Sequence, residues 1–537
     1  MFRNKEIALK NGIYLFPLIL ILAIPLLVYS FGRGDSRHLL AALITLLIPL
    51  FFLYASQIKP FTFVLISFPV LLLSIMYNTM AFDYDSYVSI GVWTAFFDTF
   101  SEEAVEYIAE TRWITKLVTA VQILIYIFYL FHSYHRKNEG ISNKKRIILT
   151  LFLFIALIDF ASKGATKIAF PFRAIEGLVY YKKQKMYEVQ FFSKRAQIAL
   201  HAHQDSTFSK DQKETLILVV GESLRRDHLS YYQYPKPTSP LLEKEKLIIY
   251  SDAVSPVNQT VNALKRVFSE AEYENDSAYY QRPTFIKAFK ETGFKTYWLS
   301  TQRMYGKHDS EVSFIAKECD SIIFRNPYDY DDILVDDLQG ILKLDAPKKL
   351  IIIHIMGNHA AYYRRYRPRF DTFTRDESQS VEQKVIDSYD NSVLYNDSVL
   401  HQFLSKLKKT DGNAVFIMFS DHGESLYQSG PDIKMHSSNN PAKCEYEVPL
   451  VLWLSKQYRQ NHPDILQQIQ TNRNLPLITS DLYYSIPYLY GISFDAMKPE
   501  KNFFSNQYKP LSIRRVMTGS FDFVPYESLK TSYKDHE

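Results

Sequence analysis

The sequence predicts a chain in two parts: an N-terminal all-α membrane domain of five transmembrane helices, then an α/β domain on a largely parallel sheet. Three observations carry that expectation. Apolar residues crowd into the first 165 of 537 positions. From about Glu214, short β-branched runs alternate with helical patterns. Residues of metal-binding type (Glu222, Thr260, His354 with His359, and Asp421 with His422) gather at or just beyond apolar runs. The length alone exceeds one ordinary core, so two or more units are expected.

Five stretches reach the roughly 20 apolar residues that a bilayer crossing takes. They run from Ile13 to Phe31, Leu39 to Ala55, Phe61 to Phe82, Ile114 to Phe131 and Ile147 to Ala165. The last holds Asp159, which is costly in lipid and is expected near a helix end or against another helix. A cleaved signal peptide is a poor reading of the first stretch, because comparable segments follow and no small-residue cleavage site ends it. Lys and Arg prefer the cytoplasmic side. Arg3, Lys5 and Lys10 precede the first segment, and Arg136, Lys137, Lys144, Lys145 and Arg146 fill the fourth connection. The third connection is acidic, with Asp83, Asp85, Asp98, Glu102, Glu103, Glu106 and Glu110. These charges place the N-terminus inside and everything after about residue 166 outside, against a weaker opposing signal from Arg33 and Arg37. Residues 83–112 read equally as an amphipathic surface helix or a loop helix. The expected organisation is a membrane domain over 1–165, a juxtamembrane connector over 166–212 and a catalytic domain over 213–537.

In the second part, Thr215–Val220 is a continuous apolar run of the kind buried on both faces of a parallel sheet. Lys295–Ser300, Leu350–Ile355, Ala414–Ser420 and Val448–Leu454 are similar. Helical patterns over Asn262–Glu270, Thr284–Thr292, Asp331–Lys343 and Glu382–Lys408 lie between them. A net charge of +5 is mild for this size and does not imply nucleic acid. Two cysteines, Cys319 and Cys444, are too few for a disulfide framework and leave a single bridge open. The 39 Tyr and 38 Phe suit lipid–water boundaries or sugar and lipid sites.

In open α/β sheets, functional groups gather beyond the carboxyl ends of the strands. Glu222 follows the run ending Val219-Val220-Gly221, which suits a metal ligand; a partner for Arg225 or Arg226 fits it equally. Asp421-His422-Gly423-Glu424 sets two ligand types before a glycine turn, as zinc or manganese would use. His354 and His359 bracket Met356-Gly357, and His436 lies beyond His422. Singly each reads as a structural histidine; together they point to metal or phosphate. Ser223 and Thr260 compete as nucleophile. Thr260 stands just ahead of a helix beginning near Asn262, whose free N–H groups favour phosphate. The residues lean to Thr260 without excluding Ser223.

These residues, taken in order, resemble a known family. Gly221-Glu222-Ser223, Arg226, Tyr234-Pro235, Thr238-Ser239-Pro240, Ser255-Pro256 and Gln259-Thr260 come first. His354-Ile355-Met356-Gly357-Asn358-His359, Tyr362-Tyr363, Arg365-Tyr366, Tyr389-Asp390-Asn391-Ser392 and Ser420-Asp421-His422-Gly423-Glu424-Ser425-Leu426 follow. The set is similar to the phosphoethanolamine transferases of the alkaline phosphatase and sulfatase superfamily. The resemblance implies five membrane helices before a periplasmic α/β domain of alkaline phosphatase/sulfatase type, in a bacterial inner membrane. It implies a threonine nucleophile on zinc, one ion or two with manganese as the alternative, which by position makes Thr260, Glu222, Asp421 and His422 the ligand set. By the same alignment His359 and His436 hold the phosphoryl group or a second metal, and Gln302, Lys307 and His354 fall near the substrate. Members acting on lipid A commonly carry cysteines flanking the nucleophile; none does so here, so the chain is more similar to members acting on inner-core sugars.

The reaction the resemblance implies moves phosphoethanolamine from phosphatidylethanolamine through a phospho-threonine intermediate to lipopolysaccharide or another envelope saccharide. Three rivals stand beside it. A phosphoglycerol transferase of the lipoteichoic acid synthase kind shares the topology and a metal-bound threonine. A sulfatase needs a Cys/Ser-x-Pro-x-Arg setting, which neither Cys319 nor Cys444 has. A non-catalytic membrane sensor with a metal-stabilised external domain would keep the metal and need no hydroxyl.

Overall fold

The computed structural model describes residues 14–24, 60–83, 93 and 111–134, scattered positions from 175 to 195, and residues 197–532 apart from 209–211, 273–276, 303–310, 327–328, 375–377, 430–433, 437–439 and 520–521. The chain divides into two units, Met1–Gln184 and Lys185–Glu537.

In the first unit, the described helices are α1 (Tyr14–Ile24), α2 (Pro60–Ile66), α3 (Phe68–Asp83) and α4 (Trp113–Tyr134). Among the described residues, α4 alone is long and apolar enough to cross a bilayer, and α2 with the first part of α3 passes the same test across a 47° bend. The bend has a local cause. Pro69 has no N–H to give the Leu65 carbonyl, and the intervening Ser67 turns its hydroxyl onto the Val64 carbonyl at 2.7 Å. Tyr126 of α4 donates to that same carbonyl at 2.6 Å. Pro25 likewise has no N–H for the Ile21 carbonyl; Gln122 of α4 donates to it at 2.8 Å, and Ser74 to the Leu22 carbonyl at 2.7 Å. The expected spans at 39–55 and 147–165, Asp159 included, and most of the acidic connection lie outside the described residues.

The second unit is built on a seven-stranded sheet: β1 (Glu214–Gly221), β2 (Ile248–Ile249), β3 (Lys295–Ser300), β4 (Ser321–Phe324), β5 (Lys348–His354), β6 (Asn413–Ser420) and β7 (Leu450–Leu454). Their spatial order is β2-β7-β6-β1-β5-β3-β4. The strands from β6 to β4 run parallel, with β1 at the centre between β5 and β6. The expected run Val448–Leu454 forms β7, but it lies antiparallel to β6, and β2 lies antiparallel to β7. Both edge strands are short, which explains why their sequences carry little signal.

Helices cover both faces of this sheet. Leu216, Leu218 and Val220 of β1 pack in one cluster with Leu264, Val267 and Phe268 of α5 (Thr260–Phe268) and Phe285, Ile286 and Phe289 of α6 (Phe285–Glu291). Ile217 and Val219 point the other way, to Leu334, Leu338 and Ile341 of α7 (Leu334–Leu342) and Tyr389, Val393 and Phe403 of α8 (Val381–Leu407). A strand covered on both faces reads as a near-continuous apolar run; all eight residues of β1 are buried, with Glu214 at its start paired to Lys348. Cys319 and Cys444 are both buried and free, so no bridge joins them, and burial pushes both thiols well above the ordinary range.

Asp397 of α8 is 2% exposed and holds the chain leading away from β1, accepting from the backbone N–H groups of Leu241 at 2.8 Å and Leu242 at 2.9 Å. Burial pushes its carboxyl up to about 6, although those two bonds pull it down. An unfolded aspartate titrates near ~3.9, so between about pH 4 and 6 the folded chain keeps a proton that the unfolded chain has lost. The associated stability is present at the acidic end and is lost as pH rises through that window. The difference in unfolding free energy between wild type and Asp397→Asn, from denaturant titrations, should therefore fall from about pH 4 to 6. A difference that is flat over this range would contradict the assignment.

Candidate metal centre

The pairing of β1 with β6 ends at Gly221 opposite Ser420. One residue further, Glu222 and Asp421 leave the sheet side by side, 1% and 0% exposed. Ser223 then takes a left-handed conformation (φ 55°), which costs a non-glycine residue about 1–2 kcal/mol. In return its N–H donates to Asp421 Oδ1 at 3.1 Å and its hydroxyl to Glu222 Oε1 at 2.8 Å. Ser223 is thus fully buried and committed to the two carboxylates.

His422 follows Asp421 and is fully buried. Its Nδ1 lies 2.7 Å from the Gly423 carbonyl, so Nδ1 carries a proton and Nε2 is the ring nitrogen that faces the carboxylates. Gly423 has no room for a side chain: a Cβ there would sit 2.0 Å from the Cys444 carbonyl oxygen. Thr260 is the first residue of α5. Its segment is tied down by Ser255, whose hydroxyl donates to the Asp421 carbonyl, and by Asn258, whose amide donates to Glu445 Oε2 at 2.7 Å. The result sets the Thr260 hydroxyl 3.2 and 3.4 Å from the Glu222 oxygens and 3.2 Å from His422 Nε2.

These atoms fit a metal ion. His422 Nε2 is 3.4 Å from Glu222 Oε1 and 3.3 Å from Asp421 Oδ2. Zinc bonds of about 2.0–2.1 Å in a tetrahedron put neighbouring ligand atoms about 3.3–3.4 Å apart. Asp421 Oδ2 is buried with no hydrogen-bond partner, as an oxygen kept for a cation would be. Glu222, Asp421 and His422 form the one group of metal-type ligands found among the described residues. The electrostatics ask for the same thing. Burial opposes a charged His422, yet Asp421 and Glu222 push its pKa up to about 10. Burial, aided by the Glu222 charge, pushes Asp421 up to about 7. Burial also works against an ionised Glu222, but the His422 contact holds it well below the usual range. Positive charge is stabilised wherever it sits among these three groups.

Other expected residues surround this cluster. Gln302 donates its side-chain amide to Glu222 Oε2 and to the Ile355 carbonyl, both at 3.2 Å. The His436 ring lies 4.0 Å from that of His422, with Nδ1 3.4 Å from Glu424 Oε2. His359 is half-buried on the loop after β5, close enough for its charge to bear on Glu222. His354 ends β5 and sits in the core, 2% exposed, its ring edge-on to Trp298 at 5.9 Å. Lys307 lies outside the described residues. Sequence reasoning gave no role to Glu424, which is fully buried and pushed up to about 8 by burial. It also missed Glu445, which follows no strand and lies in no motif.

With this geometry, the sulfatase family profile matches residues 214–492, about half of the chain. The chain belongs to the sulfatase family. Its relatives there include phosphoethanolamine transferase EptC of Escherichia coli O18:K1:H7, 29% identical over 320 residues. That match covers 56% of this chain and spans only 55% of the relative's length. The crystal structure of the C-terminal periplasmic domain of E. coli EptC in complex with zinc aligns with a TM-score of 0.57 at 26% identity, over 62% of this chain and 97% of that one. The integral membrane lipooligosaccharide phosphoethanolamine transferase A (EptA) of Neisseria meningitidis shares the fold over 90% of this chain and 98% of its own, with a TM-score of 0.69 at 19% identity.

The donor set makes a direct expectation. The purified full chain should retain zinc through gel filtration, as measured by elemental mass spectrometry. Asp421→Ala or His422→Ala should lose it, because each removes a ligand and leaves the remaining buried charge uncompensated.

Proposed function

We propose that this chain transfers phosphoethanolamine from phosphatidylethanolamine to a saccharide of the cell envelope, with lipopolysaccharide core or lipid A as the acceptor. The observation that carries the reading is the Thr260 hydroxyl, held within 3.2–3.4 Å of Glu222 and His422 at the start of a helix. A hydroxyl at a helix N-terminus meets phosphate where backbone N–H groups favour its charge. The phosphoethanolamine transferase relatives supply the substrate class. In this reading the membrane domain over 1–165 makes five crossings, the connector covers 166–212, and the 213–537 domain lies in the periplasm of a bacterial inner membrane.

Glu222, Thr260, Asp421 and His422 would hold zinc, with manganese as the alternative; the ion would supply Lewis acidity that lowers the hydroxyl's pKa and offsets phosphoryl charge. Thr260 Oγ attacks the phosphorus, its bond to phosphorus forms as the bond to the glycerol oxygen breaks, and diacylglycerol leaves with the proton. The acceptor hydroxyl then attacks the same phosphorus, the bond to Thr260 breaks, and the acceptor's proton passes to Thr260 Oγ, restoring its hydroxyl. His359 and His436 hold phosphoryl oxygens or pass the proton, and substrate binding is assigned to Gln302, Lys307 and His354. Membrane attachment keeps the lipid donor near the site, a proximity effect.

The test uses the purified full chain with phosphatidylethanolamine vesicles. Wild type should release diacylglycerol and gain one phosphoethanolamine mass on the peptide carrying Thr260. Thr260→Ala, which removes only a neutral hydroxyl and leaves Glu222, Asp421 and His422 in place, should retain zinc and lose turnover by about 10³-fold or more. Turnover that survives this substitution would remove the reading. A glycerophosphate adduct from phosphatidylglycerol, with none from phosphatidylethanolamine, would assign the phosphoglycerol reaction instead.

A further inference from the structure

Asp331 stands in a short 3-10 turn before α7, far in sequence from Glu222, Thr260, Asp421 and His422, and is 3% exposed. Its Oδ1 accepts from the Met356 N–H at 2.9 Å and from the Thr301 hydroxyl, and its Oδ2 accepts from the Gly357 N–H at 2.9 Å. A buried aspartate is costly when ionised, and burial pushes this one up. An asparagine would be cheaper to bury, but only a carboxylate can turn one oxygen to each of two backbone N–H groups.

Both segments that Asp331 holds end on Glu222. On one side, Gly357 has φ 54° and lies flat against Glu222: a Cβ there would sit 3.0 Å from its carbonyl oxygen and 3.1 Å from its nitrogen. The next residue, Asn358, donates its N–H to the Glu222 carbonyl at 3.0 Å and its side-chain amide to Ser392 of α8 at 2.6 Å. On the other side, Thr301 precedes Gln302, whose amide reaches Glu222 Oε2 at 3.2 Å and the Ile355 carbonyl at 3.2 Å. One arm fixes the main chain of Glu222, the other its carboxylate.

We propose that Asp331 is a positioning residue for the metal centre: it clamps the Thr301-Gln302 and Met356-Gly357 segments so that the Glu222 carboxylate is held in its ligand geometry. The inference rests on the reading of Glu222, Asp421 and His422 as metal ligands. Groups that orient a ligand typically cost about 10–100-fold in metal affinity when lost.

The experiment is a zinc titration of the purified full chain in detergent against a chromogenic chelator. Asp331→Asn should weaken zinc binding by about 10–100-fold, and Thr301→Val, which removes one donor to the carboxylate, should weaken it less and in the same direction. Asp397→Asn removes another buried carboxylate that accepts two backbone N–H groups but has no link to Glu222, so it should bind zinc like wild type. Equal losses in Asp331→Asn and Asp397→Asn would mean a general effect of removing buried charge and would overturn the proposal. So would an affinity for Asp331→Asn within about twofold of wild type. Should Asp331→Asn fail to fold, Thr301→Val decides by the same threshold. If wild type itself binds no zinc, the metal reading fails and this inference falls with it; if wild type binds and Asp331→Asn binds equally, only the inference is lost.

Discussion

Two parallel strands ending in step, at Gly221 and Ser420, leave two buried carboxylates side by side. Buried like charges are unfavourable unless a cation lies among them. Much of the local chain is arranged to accept this. Ser223 takes a left-handed turn so that both its N–H and its hydroxyl face the carboxylates. Gly423 lets the chain press against Cys444. Ser255 ties the Thr260 segment to the carbonyl of Asp421 itself. The site is therefore a property of how β1 and β6 end, and the helices on both faces hold those ends in place.

What could be read in the sequence followed burial. β1, β3, β5 and β6 lie inside the sheet, so their middle residues are largely apolar, and they stand out as runs. The edge pieces Ile248–Ile249 and Ser321–Phe324 are too short to form such runs, and the direction of Leu450–Leu454 is set by pairing that composition does not encode. Residues directly after the buried runs, Glu222, Asp421 and His422, were legible for the same reason. Asp331, Asn258 and Glu445 were not, because their importance comes from contacts between segments distant in the chain. The choice between Ser223 and Thr260 was open in the residues. In the structure Ser223 is fully buried against Glu222, while Thr260 is part-exposed beside the same carboxylate and His422.

The described helices of the first unit meet a related demand. A polar group shielded from water must find a partner within the protein. Two prolines, Pro25 and Pro69, take N–H donors out of apolar helical sequence. Gln122 and Ser74 answer at the carbonyls of Ile21 and Leu22, and Ser67 with Tyr126 at that of Val64. α4 supplies Gln122 and Tyr126, so it fastens α1 and α2 through hydrogen bonds as well as through packing.

The free, buried state of Cys319 and Cys444 reaches beyond the fold. Neither sulfur is joined to anything, and both thiols are shielded, so no oxidation step stands between the nascent chain and its final shape. Reducing agents in a purification buffer have no covalent crosslink between these two residues to cut, and thiol reagents would find little to label while the domain stays folded. Alkylation of either sulfur would thus serve as a clock for opening of the core.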